Sequence, residues 1–120
     1  MNHVQGSMIV FADTDTAEGL GRAVNAPTTA KEFRDAGDEA LIVFDGAGTK
    51  WAAELSDPEH EYHQLLEDAQ ELVEGACAYR SSAFGVREQI EQSPVPLLDE
   101  YDGHPSLRRL ISDGYEVVTF

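Results

Sequence analysis

The sequence predicts a single α/β domain, a three-layer helix–sheet–helix sandwich around a mainly parallel five-stranded sheet. Three observations predict it. Short runs of β-forming residues alternate with segments of helical spacing, the pattern of right-handed crossovers between parallel strands. The most apolar run, residues 40–44 (ALIVF), has no polar alternation, which suits a strand covered on both faces. The chain has 120 residues, 42% of them apolar, the size of one domain with a real core.

Residues 8–12 (MIVFA) read as the first strand. It ends at Asp13-Thr14-Asp15-Thr16, a polar cluster suited to capping a helix. Helical spacing follows through Leu20, Ala23, Val24, Ala30, Phe33 and Ala36. Pro27 interrupts it, so the helix kinks there or a second one begins, and Gly37 ends it. Residues 40–44 are the second strand, left through the turn Asp45-Gly46-Ala47-Gly48. Residues 49–55 form a loop or short helix carrying Trp51. Asp57-Pro58 then reads as a helix start. The apolar stripe Tyr62, Leu65, Leu66, Ala69, Leu72 and Val73 carries that helix to Gly75.

Residues 76–80 (ACAYR) are the expected third strand, with a turn over 81–85 and a short helix over 86–92. Residues 94–98 make a strand weakened by prolines, and 99–104 a polar loop. A last helix over 105–113 and a final strand over 115–120 (YEVVTF) complete the pattern. Residues 1–7 match no structural pattern, and Gly6-Ser7 ahead of Met8 resembles an expression-tag remnant. The domain is therefore expected over 8–120.

Twenty-three acids face eight bases, for a formal charge of −15. A field of this sign repels phosphate backbones, so nucleic acid is excluded as a partner. The acids are scattered rather than blocked, and salt would screen their repulsion. Adaptation to a salt-rich cytoplasm is the expected reason. No apolar run approaches the ~18 residues of a membrane helix, so no membrane partner is expected. One cysteine excludes an intrachain disulfide and points to a cytoplasmic location.

In parallel sheets of this kind ligands bind beyond the carboxyl ends of the strands. Cys77 lies next to that edge, either as a buried small hydrophobe or as a thiolate or persulfide carrier. Arg80 and Ser81-Ser82 follow closely and are candidates for holding an anionic sulfur, or are surface and turn residues. The turn from Asp45 to Lys50 lacks the spacing of a phosphate loop, and a structural turn is the simpler reading. Trp51 reads as core or interface. Asp13 and Asp15 are read as helix caps before they are read as metal ligands. His60 and His63, three apart, have metal-ligand spacing and would need Glu59, Glu67 or another loop for a third ligand; a solvated helix start is the simpler reading. His104 is either a structural residue of its turn or a base paired with Cys77. A receiver-type signalling domain is disfavoured, because no lysine follows Lys50.

Four stretches carry a family resemblance: MIVFADTDTAEGLGRAVNA, TTAKEFRDAGDEALIVFDGAGTKW, GACAYRSSAFGV and PLLDEYDGHPSLRRLISDGYEVVTF. Together they resemble a small member of the DsrE/DsrF-like (sulfur-relay) superfamily. The resemblance implies a flavodoxin-like sheet and assembly into homotrimers or homohexamers. It also implies a sulfur-carrying cysteine in a segment similar to C-x-x-x-x-x-x-x-G-[VIL], which maps onto Cys77 through Gly85-Val86. Where many relatives place a second cysteine, this chain has Arg80.

The expected activity is thus sulfurtransferase-like. A persulfide forms on Cys77 with Arg80 and Ser81 beside it, sulfur passes between donor and acceptor proteins, and no metal or organic cofactor is needed. The alternative is a non-enzymatic oligomeric domain that binds a small molecule or a protein.

Overall fold

The computed structural model describes residues 3–120; Met1 and Asn2 lie outside it. Five strands form one sheet: β1 (Gln5–Val10), β2 (Glu39–Phe44), β3 (Val73–Cys77), β4 (Leu97–Leu98) and β5 (Glu116–Thr119). Every pairing is parallel, in the order β4-β3-β2-β1-β5. The three-layer, parallel α/β architecture is the expected one. The likeness to flavodoxins is one of layers and pairing, since their strand order is 2-1-3-4-5.

The order fixes the layers. Connections from β1 through β4 all step the same way, so right-handed crossovers put their helices on one face. These are α1 (Ala17–Asp35), α2 (Thr49–Leu55), α3 (His63–Glu67), α4 (Ala78–Ala83) and α5 (Arg87–Glu91). The return from β4 to β5 puts α6 (Leu107–Ser112) on the other face. The larger core joins Met8, Val10, Ile42, Phe44 and Ala76 of the sheet to Ala26, Trp51, Leu55, Leu66 and Ile90. The smaller core is Ile9, Val43 and Leu110, edged by Leu41, Leu107 and Val117. Each fully buried Ile or Val contributes about 1.5–3 kcal/mol relative to exposure.

In α1 the buried face is Ala23, Ala26, Pro27 and Ala30, whose helical spacing and small size let the helix lie close on the sheet. The helix runs through Pro27 unbroken, and Thr16, rather than Asp13 or Asp15, caps it by accepting the Gly19 N–H at 2.9 Å.

Three expectations are corrected. First, β1 begins at Gln5: Gln5, Gly6 and Ser7 pair with Glu39, Ala40 and Leu41 of β2, and Gly6 and Ser7 are buried. These three residues belong to the fold although no apolar signal marks them. Second, the long helix expected up to Gly75 is only α3, followed by a 3-10 turn over Gln70–Leu72 and then β3. Asp57 accepts the Glu59 N–H and closes a turn instead of opening a helix. Third, β3 ends at Cys77, and Arg80 and Ser81 stand on α4 rather than on a strand end and a turn. Gly75 permits the β3 path: a Cβ there would lie 2.5 Å from the Pro96 carbonyl oxygen.

Candidate functional site

The carboxyl ends of β2 and β3 lie side by side. Phe44 pairs with Ala76 in register, so the next residues, Asp45 and Cys77, leave the sheet as neighbours. Leu98 of β4 pairs with Cys77 on the other side, and the chain beyond it turns back over the sulfur. That turn places Asp102 and Gly103 at positive φ (49° and 83°), which a tight Asp-Gly turn supplies. Tyr101 and His104 close it with paired backbone hydrogen bonds of 2.9 and 2.8 Å. A further bond, from the Tyr79 N–H to the Gly103 carbonyl at 2.9 Å, ties the turn to the start of α4. The Tyr79 and His104 rings meet at a tilt, their centres 5.0 Å apart.

Cys77 is the end of β3 and the N-terminal cap of α4 at once. Its Sγ accepts the Arg80 backbone N–H at 3.4 Å, lies 3.2 Å from His104 Nδ1, and faces the Gly103 carbonyl at 3.8 Å. Asp45, Cys77 and His104 each bring one ligand atom within 4.8 Å of the others. Cys77 is fully buried and the other two are half-buried. Burial pushes the Cys77 thiol up, the Arg80 N–H pulls the other way, and the Asp45 carboxylate raises it again. The thiol therefore holds its proton more tightly than a free cysteine, with the Arg80 N–H, the Gly103 carbonyl, His104 and Asp45 as its polar neighbours.

The other expected site residues act differently from the expectation. Arg80 reaches the sulfur through its backbone alone; its guanidinium is exposed and lies over the Tyr79 ring at 5.2 Å. Ser81 is buried, but its hydroxyl donates to the Cys77 carbonyl at 2.6 Å, a bond to the preceding turn rather than to sulfur. Asp45 was legible only as a turn residue. Its carboxylate accepts the Gly46 N–H at 2.7 Å, and Gly48 lets that turn press against the Val10 carbonyl where a Cβ would clash. The pairing of His104 with Cys77, one of the two readings of that histidine, is present in the geometry.

The remaining candidates serve the scaffold. Asp13 is ion-paired with Lys50, whose ammonium lies 5.7 Å from the centre of the Phe84 ring. Trp51 is buried and donates its indole N–H to the Asp13 carbonyl at 3.2 Å. His63 bonds to the Leu55 carbonyl and pairs with Glu67 at 2.8 Å, and His60 accepts the Tyr62 N–H. Among the described residues no helix is long and apolar enough to cross a membrane.

No family model matches the chain. Among solved structures it is similar to a conserved protein of unknown function, BT1422, from Bacteroides thetaiotaomicron, with a TM-score of 0.63 and 14% identity over 95% of this chain and 94% of that one. At that identity the likeness speaks for the fold. Over 91 residues the chain is 31% identical to Uncharacterized protein MJ0733 of Methanocaldococcus jannaschii, covering 74% of this chain and 72% of that protein. An identity of this size across most of both chains places the protein in the same family as MJ0733.

Proposed function

We propose that this protein is a small DsrE-like sulfur carrier that holds a persulfide on Cys77. The observation that carries the reading is the 3.2 Å approach of His104 Nδ1 to the sulfur, opposite the Arg80 N–H. With its proton on Nε2, the imidazole accepts the thiol proton at Nδ1. The thiolate then attacks the outer sulfur of a donor persulfide, R–S–SH. The donor S–S bond breaks, a new S–S bond forms on Cys77, and the departing R–S⁻ takes the proton back from the imidazolium. Thiol and persulfide exchange one sulfur atom with no net redox change. The Arg80 N–H offers a hydrogen bond to the anionic sulfur before and after transfer, the part first expected of its side chain.

Access needs the tip of the turn, Asp102-Gly103, to move off the sulfur while His104 keeps its place beside it; the backbone bond that breaks is the one from the Tyr79 N–H to the Gly103 carbonyl. The donor and acceptor are proteins or small persulfides reaching this rim. Exposed Phe11, Tyr79, Phe84 and Tyr101 near that end of the sheet suit burial against further copies of the chain in a homo-oligomer. A salt-rich cytoplasm is the compartment that fits the acidic surface.

Intact-protein mass spectrometry after treatment with a persulfide donor tests the reading. Wild type is expected to gain the mass of one sulfur atom and Cys77→Ser none. A wild-type chain that stays unmodified in folded protein would remove the carrier role and leave the non-enzymatic binding domain.

A further inference from the structure

We propose that Asp45, Cys77 and His104 form a binding site for a thiophilic divalent cation, best matched by Zn2+, with an open fourth position. The inference goes beyond sulfur carriage and does not depend on it. Three separate segments, the ends of β2 and β3 and the turn after β4, converge one carboxylate oxygen, one sulfur and one ring nitrogen within 4.8 Å. In a tetrahedral zinc site, bonds of about 2.3 Å to sulfur and about 2.0–2.1 Å to nitrogen put those two atoms roughly 3.5 Å apart. The observed Sγ–Nδ1 separation is 3.2 Å. Sulfur and imidazole select zinc over calcium or magnesium, which take oxygen ligands.

Charge supports the same occupant. A thiolate, a carboxylate and a neutral imidazole carry two negative charges, and a divalent ion cancels both in a place where net charge is costly. The supporting shell is built: Asp45 is fixed by the Gly46 N–H, and the sulfur by the Arg80 N–H. Among the described residues no other group of three such side chains comes together, although acids crowd the surface. Three protein ligands leave one position for water or an incoming sulfur species, the arrangement of catalytic rather than structural zinc. Metal and persulfide sulfur compete for the same Sγ, so a bound ion would hold the carrier unloaded.

Cobalt titration of the reduced, metal-free protein tests the site. A near-ultraviolet thiolate-to-cobalt charge-transfer band is expected, saturating at about one Co2+ per chain and displaced by Zn2+. The chain has a single cysteine, so the band reports Cys77 directly and wild type alone decides whether the sulfur binds metal. Asp45→Asn and His104→Gln should each weaken binding by at least about tenfold. No band at saturating Co2+ overturns the proposal, as does a band that both variants leave unchanged. Neither result depends on a sulfur donor, so failure here is distinct from failure of sulfur loading.

Discussion

Burial keeps the proton on the Cys77 sulfur, the Arg80 N–H works against it and the Asp45 carboxylate adds to it, so the proton is held more tightly than on a free cysteine. Ultraviolet titration of the thiolate in metal-free protein, with Cys77→Ser as baseline, should give a midpoint above the free value of ~8.5. Asp45→Asn should move that midpoint down, because it removes the charge that raises it. The sign for stability follows. The unfolded chain loses the thiol proton first, so this group favours the fold below the ordinary thiol range and its contribution fades as pH rises through the folded value. The proposed sulfur transfer therefore needs help in removing the proton, and His104 Nδ1, 3.2 Å from the sulfur, is the group placed to give it. Cys77 was easy to find in the sequence because it is unique. Asp45 was hidden because nothing local distinguishes a turn aspartate from one placed by register beside a cysteine far along the chain.

Elements differ in how plainly they were written. The strands β2 and β5 carry patterns that match one geometry along their whole length, and the structure keeps them nearly as read, whereas α1 keeps its helical spacing but runs on through Pro27, where an interruption was expected. The stripe from Tyr62 to Val73 misled because α3, the 3-10 turn and the start of β3 each turn apolar residues inward by a different rule. Their sum imitates a helix. The strand β1 misled in the opposite sense, since Gln5, Gly6 and Ser7 earn their places by backbone pairing alone. In β3 the critical position is Gly75, with φ 157° and the Pro96 carbonyl in the space of a Cβ. Gly75→Ala should lower the stability of the fold by about 1–3 kcal/mol in urea unfolding. It should also loosen β4 and the following turn, seen as faster amide exchange at Tyr79, whose N–H bonds to Gly103. Unchanged exchange there would detach the turn from the strand that precedes it.

For the molecule as a whole, a formal charge of −15 on 120 residues opposes compaction through self-repulsion. Ionic screening shortens the Debye length from about 10 Å at 0.1 M salt to about 3 Å at 1 M. The melting temperature should therefore rise between about 0.1 M and about 3 M KCl, steeply at first and then less so. A midpoint that stays flat or falls would count against salt adaptation. The strand order carries a further consequence. β1 takes one neighbour from close by in sequence and the other, β5, from the far side of the domain, where Gly6 meets Glu116. Contacts of such long sequence separation close late and slow folding. Until β5 arrives, the nascent sheet presents the open flank of β1, Gly6 to Ile9, to other half-made chains. The acids of the surface then act in time as well as in space, holding those chains apart until the last edge is sealed.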